Sequence, residues 1–234
     1  MKVDKNITSS KSNWEFNKGV VKSFDTHVVN SVPFYDISHD MVVRLSEFFL
    51  KKNSTLYDLG SSTGSLLKSI NNKNNNKNLN LIGLDNSKEM VKSANKKNKK
   101  KNIKFHFSDL KNQKLKKSDM ITSLYTIQFL EPKYRQKLFD QIYQSLNWGG
   151  AFVMFEKIRG NDARFQDILT FLYFDFKAEN GLKPVEILNK EMSLRSVMEP
   201  YTSKANTDFL KRAGFKDIMP ICQYLCFKGF LAIK

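Results

Sequence analysis

Between Thr55 and about Lys157, short apolar runs alternate with helical segments, and this alternation constrains the fold more than any other feature of the chain. Five runs read as strands: Thr55 to Leu59, Leu79 to Leu84 (ending at Asp85), Ile103 to Phe107, Met120 to Tyr125 and Ala151 to Phe155. Helices are expected at Ser65 to Ile70, Ser87 to Lys99 and Pro132 to Leu146. The last begins at a proline and is followed by a turn, Trp148-Gly149-Gly150. Strands this apolar are buried on both faces, which implies a mostly parallel α/β sheet with helices on either side.

The flanking regions differ. Residues 1–54 read as a helical cap after a loose start, with apolar residues at helical spacing from Met41 to Leu50. Residues 55–234 then form one ligand-binding domain, interrupted at about 161–199 by a helical, aromatic-rich insertion. In that insertion Phe165, Phe171, Phe174 and Phe176 have the spacing of core residues. A helix from Lys204 to Ala213, stopped by Gly214, precedes two strands near 216–221 and 224–233 that can close as an antiparallel hairpin. Residues 71–78 are low-complexity and read as a surface loop.

Composition excludes several classes. Hydrophobic residues make up 41% of the 234, with 19 Phe, enough for a core. No apolar run approaches the ~20 residues of a membrane span. The N-terminus lacks an apolar signal core. Cys222 and Cys226 are spaced for neither a zinc site nor a disulfide framework, and no metal is expected. They read as buried, reduced thiols of a cytoplasmic protein. The formal charge of +16 raises a nucleic-acid partner. However, lysine accompanied by asparagine is what A/T-rich coding drift produces. The stretch Lys92 to Lys101 also lacks interleaved aromatics for base stacking, so a solvated helix face is favoured over RNA binding.

The chemistry-bearing motif is Tyr57-Asp58-Leu59-Gly60-Ser61-Ser62-Thr63-Gly64-Ser65, where a strand runs through a glycine loop into a helix. Gly60 and Gly64 let the chain turn and a ligand approach the backbone, and the hydroxyls of residues 61–63 can cap the helix. The loop departs from G-x-G-x-x-G, which cradles a pyrophosphate. S-adenosylmethionine (SAM) has no phosphate and needs acceptors instead, such as Asp58. Asp85, followed by Asn86, can take both ribose hydroxyls, and Asp109-Leu110 can receive the adenine amino group. A strand-end Asp is often only a helix cap, but three such sites on successive strands line one crevice. NAD(P) is the competing cofactor, and the missing third glycine counts against it.

These residues resemble the class I SAM-dependent methyltransferases. They are similar above all to the carboxy-SAM synthases of tRNA wobble-uridine modification, through Ser31-Val32-Pro33-Phe34-Tyr35, Leu84-Asp85-Asn86-Ser87, Gln128-Phe129-Leu130-Glu131-Pro132, Glu156-Lys157, Asp175-Phe176-Lys177 and Ala213-Gly214-Phe215. The resemblance implies a Rossmann-like seven-stranded sheet, a helical N-terminal cap, helices after the fifth strand and a homodimer. It places Tyr35, Gly60, Ser61, Ser62, Asp85, Asn86, Asp109 and Leu110 around SAM or its carboxylated form.

Two departures bear on the activity. Where the family has an arginine that grips the added carboxylate, this chain has Glu191; where it has an asparagine facing the cofactor, this chain has Leu124. One carboxylate beside another costs on the order of several kcal/mol in a low-dielectric site. Glu191 therefore favours the plain sulfonium, with Arg195 as the substitute anion holder. Methyl transfer to a small molecule is the expected activity, and conversion of SAM and prephenate to carboxy-SAM the alternative. Methyl transfer is an in-line displacement that needs positioning more than a triad. Tyr35, Glu191 and Arg195 are the candidate catalytic residues, with His27, Tyr125, Glu156 and Tyr201 as further candidates for shaping the acceptor site.

Overall fold

A computed structural model describes residues 1–4, 7–16 and 18–234. The chain opens with a small antiparallel pair, β1 (Lys2–Asp4) and β2 (Ile7–Thr8), where a loose start was expected. Helices α1 (Lys18–Ser31) and α2 (Tyr35–Phe49) follow. The alternating region then runs β3 (Thr55–Leu59), α3 (Ser65–Lys73), β4 (Asn80–Asp85), α4 (Lys88–Lys97), β5 (Ile103–Phe107), β6 (Ser118–Leu124), α5 (Pro132–Ser145) and β7 (Leu146–Arg159). The insertion holds two helices, α6 (Ala163–Glu179) and α7 (Pro184–Leu194). The chain ends with β8 (Tyr201–Thr202), α8 (Ser203–Ala213), β9 (Asp217–Tyr224) and β10 (Phe227–Ile233).

The main sheet has the order β5-β4-β3-β6-β7-β10-β9, with the two-residue β8 pairing beside β7. The first four pairings along that path are parallel; β10 runs antiparallel to both β7 and β9. The fold is thus the expected α/β, Rossmann-like sheet of seven strands, plus one short extra strand. The chain moves outward from β3 through β4 to β5, then returns to the other side of β3. The resulting gap between β3 and β6 is where an open α/β sheet binds ligands, at the carboxyl ends of its strands.

Alternation along each strand feeds two cores. Leu56, Met120, Ala151 and Val153 face α2 and α3, while Tyr57, Ile121, Phe152 and Met154 face α5 and α8. Phe139 of α5 is fully buried, stacked on Phe209 of α8 and edge-on to Phe152. The expected helix starts hold in part. Pro132 opens α5, and the Ser87 hydroxyl accepts from the Met90 amide at the start of α4.

Four sequence expectations need correction. Trp148-Gly149-Gly150 lies inside β7 rather than in a turn: the register slips beside Ser118, and Gly149 donates to the Lys234 carbonyl, so the glycines serve a bulge. Residues 71–73 extend α3, and Asn74 closes it by donating its side chain to the Ile70 carbonyl and the Ser46 hydroxyl. Phe165 and Phe171 are exposed rather than core, because α6 packs through its other side, where Tyr173 and Phe176 meet Phe227. Cys226 is buried but Cys222 only half-buried. Among the described residues, no helix is long and apolar enough to cross a membrane.

Candidate active site

The loop after β3 is shaped by left-handed backbone at Gly60, Ser62 and Gly64. A Cβ at Gly60 would run into the Thr126 side chain, and one at Gly64 into the Phe105 ring. Only glycine therefore turns here without strain. Gly60 and Ser61 both donate their amides to the Leu84 carbonyl, at 2.7 and 3.0 Å, which ties the loop to the end of β4. The helix is not capped by the loop's hydroxyls as expected. Gly64 occupies the cap position without a side-chain bond, and the Thr63 hydroxyl donates to Asp25 at 2.7 Å.

Above this loop lies a cavity of about 310 Å³. Its floor is the sheet's switch point and its roof is the N-terminal segment, with Trp14 and His27 stacked on one wall. Tyr35, Asp58, Gly60, Ser61, Ser62, Asp85, Asn86, Asp109, Leu110, Leu124 and Glu191 all line it. Gly64 does not, because its part is the turn itself. Arg195 does not reach this cavity either; its side chain is exposed and lines a neighbouring space. Of the further candidates, His27 and Tyr125 line the cavity. Glu156 lies beneath it and accepts the amides of Thr126, Ile127 and Gln128, which fixes the loop after β6. Tyr201 is sandwiched between Arg135 and Phe209, away from the cavity.

One end of the cavity is acidic. The two oxygens of Asp85 accept from the Ser62 and Ser87 amides at 2.9 and 2.8 Å, which aims its carboxylate. Asp58 is buried and accepts the Thr122 hydroxyl at 2.8 Å; burial, with the charge of Asp85, pushes its carboxyl up to about 7. The Ser61 hydroxyl is buried and has no hydrogen-bond partner among the described residues. A buried polar atom without a partner on the cavity wall calls for a hydrogen-bonding ligand. The acceptors Asp58 and Asp85 and this hydroxyl fit the ammonium and ribose of SAM.

The other end is basic. Lys177, almost fully buried, donates to Glu191 at 2.8 Å, and its ammonium lies 3.9 Å from the centre of the Tyr173 ring. Lys157 shares that ring at 4.6 Å, and Lys190 lies over Trp14. Burial alone would push the Glu191 carboxyl up, but the ammonium groups of Lys157, Lys177 and Lys190 hold it below its ordinary range. Burial lowers Lys177, opposed by Glu191. Glu191 does not stand alone at this end of the cavity: the ammonium groups of Lys157, Lys177 and Lys190 act on its carboxylate. His39, tilted against Tyr35 at 4.3 Å, also lines the cavity, and burial lowers it to about 4, leaving it neutral at pH 7.

Sequence reasoning did not assign His39 or the three lysines to the site. Lys157 and Lys177 sit in the quoted Glu156-Lys157 and Asp175-Phe176-Lys177 motifs, so a signal was present without a role.

Comparison with known proteins decides the family. A methyltransferase domain family matches residues 56–150. A carboxy-S-adenosyl-L-methionine synthase of Staphylococcus epidermidis is 40% identical over 94% of this chain and 97% of its own length. The chain belongs to the carboxy-SAM synthase family. A second such synthase, from Campylobacter lari, is 35% identical over 94% of both chains. Among solved structures, the phosphoethanolamine N-methyltransferase 2 of Haemonchus contortus, in complex with SAM, superposes with a TM-score of 0.68. It is 15% identical and shares the fold, over 94% of this chain but only 57% of that longer one. The protein is a SAM-dependent transferase, with SAM or its carboxylated form as cofactor.

Proposed function

We propose that this chain is itself a carboxy-SAM synthase, converting SAM and prephenate to carboxy-SAM. The carrying observation is the basic end of the cavity, where Lys157, Lys177 and Lys190 surround Glu191. An anionic group on the ligand or co-substrate meets net positive charge there, despite the carboxylate at position 191. The full-length relatives that bear that name support the same reading.

In this reading Asp58 accepts the ammonium of the cofactor, Asp85 its ribose hydroxyls, and Asp109 with Leu110 its adenine. The bound sulfonium makes its own methyl group acidic: as prephenate aromatises to phenylpyruvate it loses carbon dioxide and hydroxide, the hydroxide takes the methyl proton and leaves as water, and the resulting carbanion bonds to the carbon dioxide. Tyr35 and Tyr125 stand over the reacting end, their rings 5.9 Å apart. Burial raises both phenols well above their ordinary value, so they remain neutral donors rather than bases. Tyr125 holds left-handed backbone and donates to the Ser38 hydroxyl at 3.0 Å, which fixes its ring against α2.

Incubation with SAM and prephenate, followed by mass analysis, tests this. Product heavier than SAM by one carbon dioxide supports it; unchanged SAM sinks it. A second reading, methyl transfer to a small molecule, draws on the apolar Leu124 and on Glu191 as a partner for a plain sulfonium. The same incubation with an acceptor extract would then yield S-adenosylhomocysteine. We also propose the homodimer that the resemblance implies, supported by the exposed Phe165, Ile168, Phe171 and Leu172 along α6.

A further inference from the structure

The first cavity does not end at Glu191. Lys157, Tyr173 and Glu191 also line a second cavity of about 550 Å³, whose wall carries Arg159 and Arg195. The Glu191 carboxylate thus stands at the junction of the two spaces. Its side chain is 30% exposed, whereas that of Lys177 is 4% exposed. A buried ammonium is tolerated only with an anion beside it. Glu191 supplies that anion by accepting from Lys177, and beyond it the wall of the second cavity carries Arg159 and Arg195 together with Glu199.

Asp58, Asp85 and Asp109 lie at the adenosine end of the first cavity, where Lys111 is paired with Glu131 at 2.6 Å, and Lys157, Lys177 and Lys190 lie at the other. The ammonium groups of Lys157 and Lys177 against the single carboxylate of Glu191 leave positive charge in excess beside a nearly buried lysine. Fixed charges act strongly in such a place. Among the described residues no arginine lines this first cavity, so the point charges of Lys157 and Lys177, rather than a planar fork, carry the anion-holding function there.

We propose that this lysine cluster is an anion subsite, that Glu191 fills it as an internal anion, and that a carboxylate on the ligand displaces Glu191 from Lys177 toward the second cavity. Glu191 is then the residue that sets the preference between SAM and carboxy-SAM: it competes with the ligand's carboxylate for the same ammonium groups and leaves the plain sulfonium methyl unopposed. The proposal rests on the functional reading above, and its test separates the two.

The affinities of the full-length protein for SAM and for carboxy-SAM are measured by calorimetry. Glu191→Gln removes the internal competitor and raises the preference for carboxy-SAM over SAM about tenfold, equivalent to ~1.4 kcal/mol. Lys157→Gln lowers the same ratio about tenfold. Lys157 is only half-buried, so this variant keeps the assay usable where Lys177→Met, at a buried site, fails to fold; melting curves identify that case. A ratio unchanged in both Glu191→Gln and Lys157→Gln overturns the subsite, even if the wild type binds carboxy-SAM tightly. A wild type that neither binds nor makes carboxy-SAM overturns the functional reading instead.

Discussion

At the scale of single residues, the site is a set of charges placed by backbone. Asp58 is the clearest case. Burial raises its carboxyl to about 7, with the Thr122 hydroxyl pulling the other way. A carboxyl raised on folding adds stability below its unfolded value, about 4, and loses it as pH climbs through the folded value. The ligand's ammonium requires the ionised form. SAM affinity should therefore rise as pH is taken through about 7, with a proton released on binding below it. Calorimetry in buffers of different ionisation heat reads both quantities. Asp58→Asn should weaken binding about tenfold, ~1.4 kcal/mol, and flatten the profile. Glu156 is raised to about the same value by burial but does not touch the cavity, so a profile left intact in the Asn variant would deny Asp58 its role. The loop holding Asp58 was legible in the sequence because its glycines sit where left-handed backbone is required. The surroundings of Glu191 were not legible, because Lys157 and Lys177 are distant from it in sequence and meet it only in the fold.

At the scale of elements, hydrophobic period located nearly every strand and helix that builds the site. It failed where local signals carry two meanings. Gly149 and Gly150 look like a turn, yet the same conformational freedom serves a bulge in β7. The phenylalanines of α6 have core spacing, but periodicity cannot say whether a second layer covers that face. The β1–β2 pair is too short to show a period. At the α5–α8 contact the fully buried Phe139 stacks on Phe209 at 5.3 Å. Phe139→Ala should cost about 3–5 kcal/mol, read as a lowered denaturant midpoint with unchanged slope. A loss under 1 kcal/mol would mean that neighbouring side chains collapse into the space. Because Phe139 lies on the far side of the sheet from the cofactor loop, SAM affinity of the folded fraction should not change.

At the scale of the molecule, the sheet order makes a single crevice at the switch between β3 and β6, and the N-terminal segment roofs it. Trp14, Phe16 and Phe24 pack above a cavity whose floor begins only at Asp58. Ligand and roof should therefore be coupled: saturating SAM should slow amide exchange in α1 as well as in the loop after β3. The uncovered apolar row on α6 belongs to this scale too, and light scattering should report about twice the chain's 27.2 kDa. The monomer mass would contradict the homodimer. In the proposed reaction, a cavity acidic at its adenosine end and basic at its reacting end makes carboxy-SAM. Turnover with prephenate labelled in its carboxyl carbons tests it most directly. The expected product is heavier than SAM by one labelled carbon dioxide and forms in step with prephenate loss. SAM recovered unlabelled while prephenate persists would contradict it.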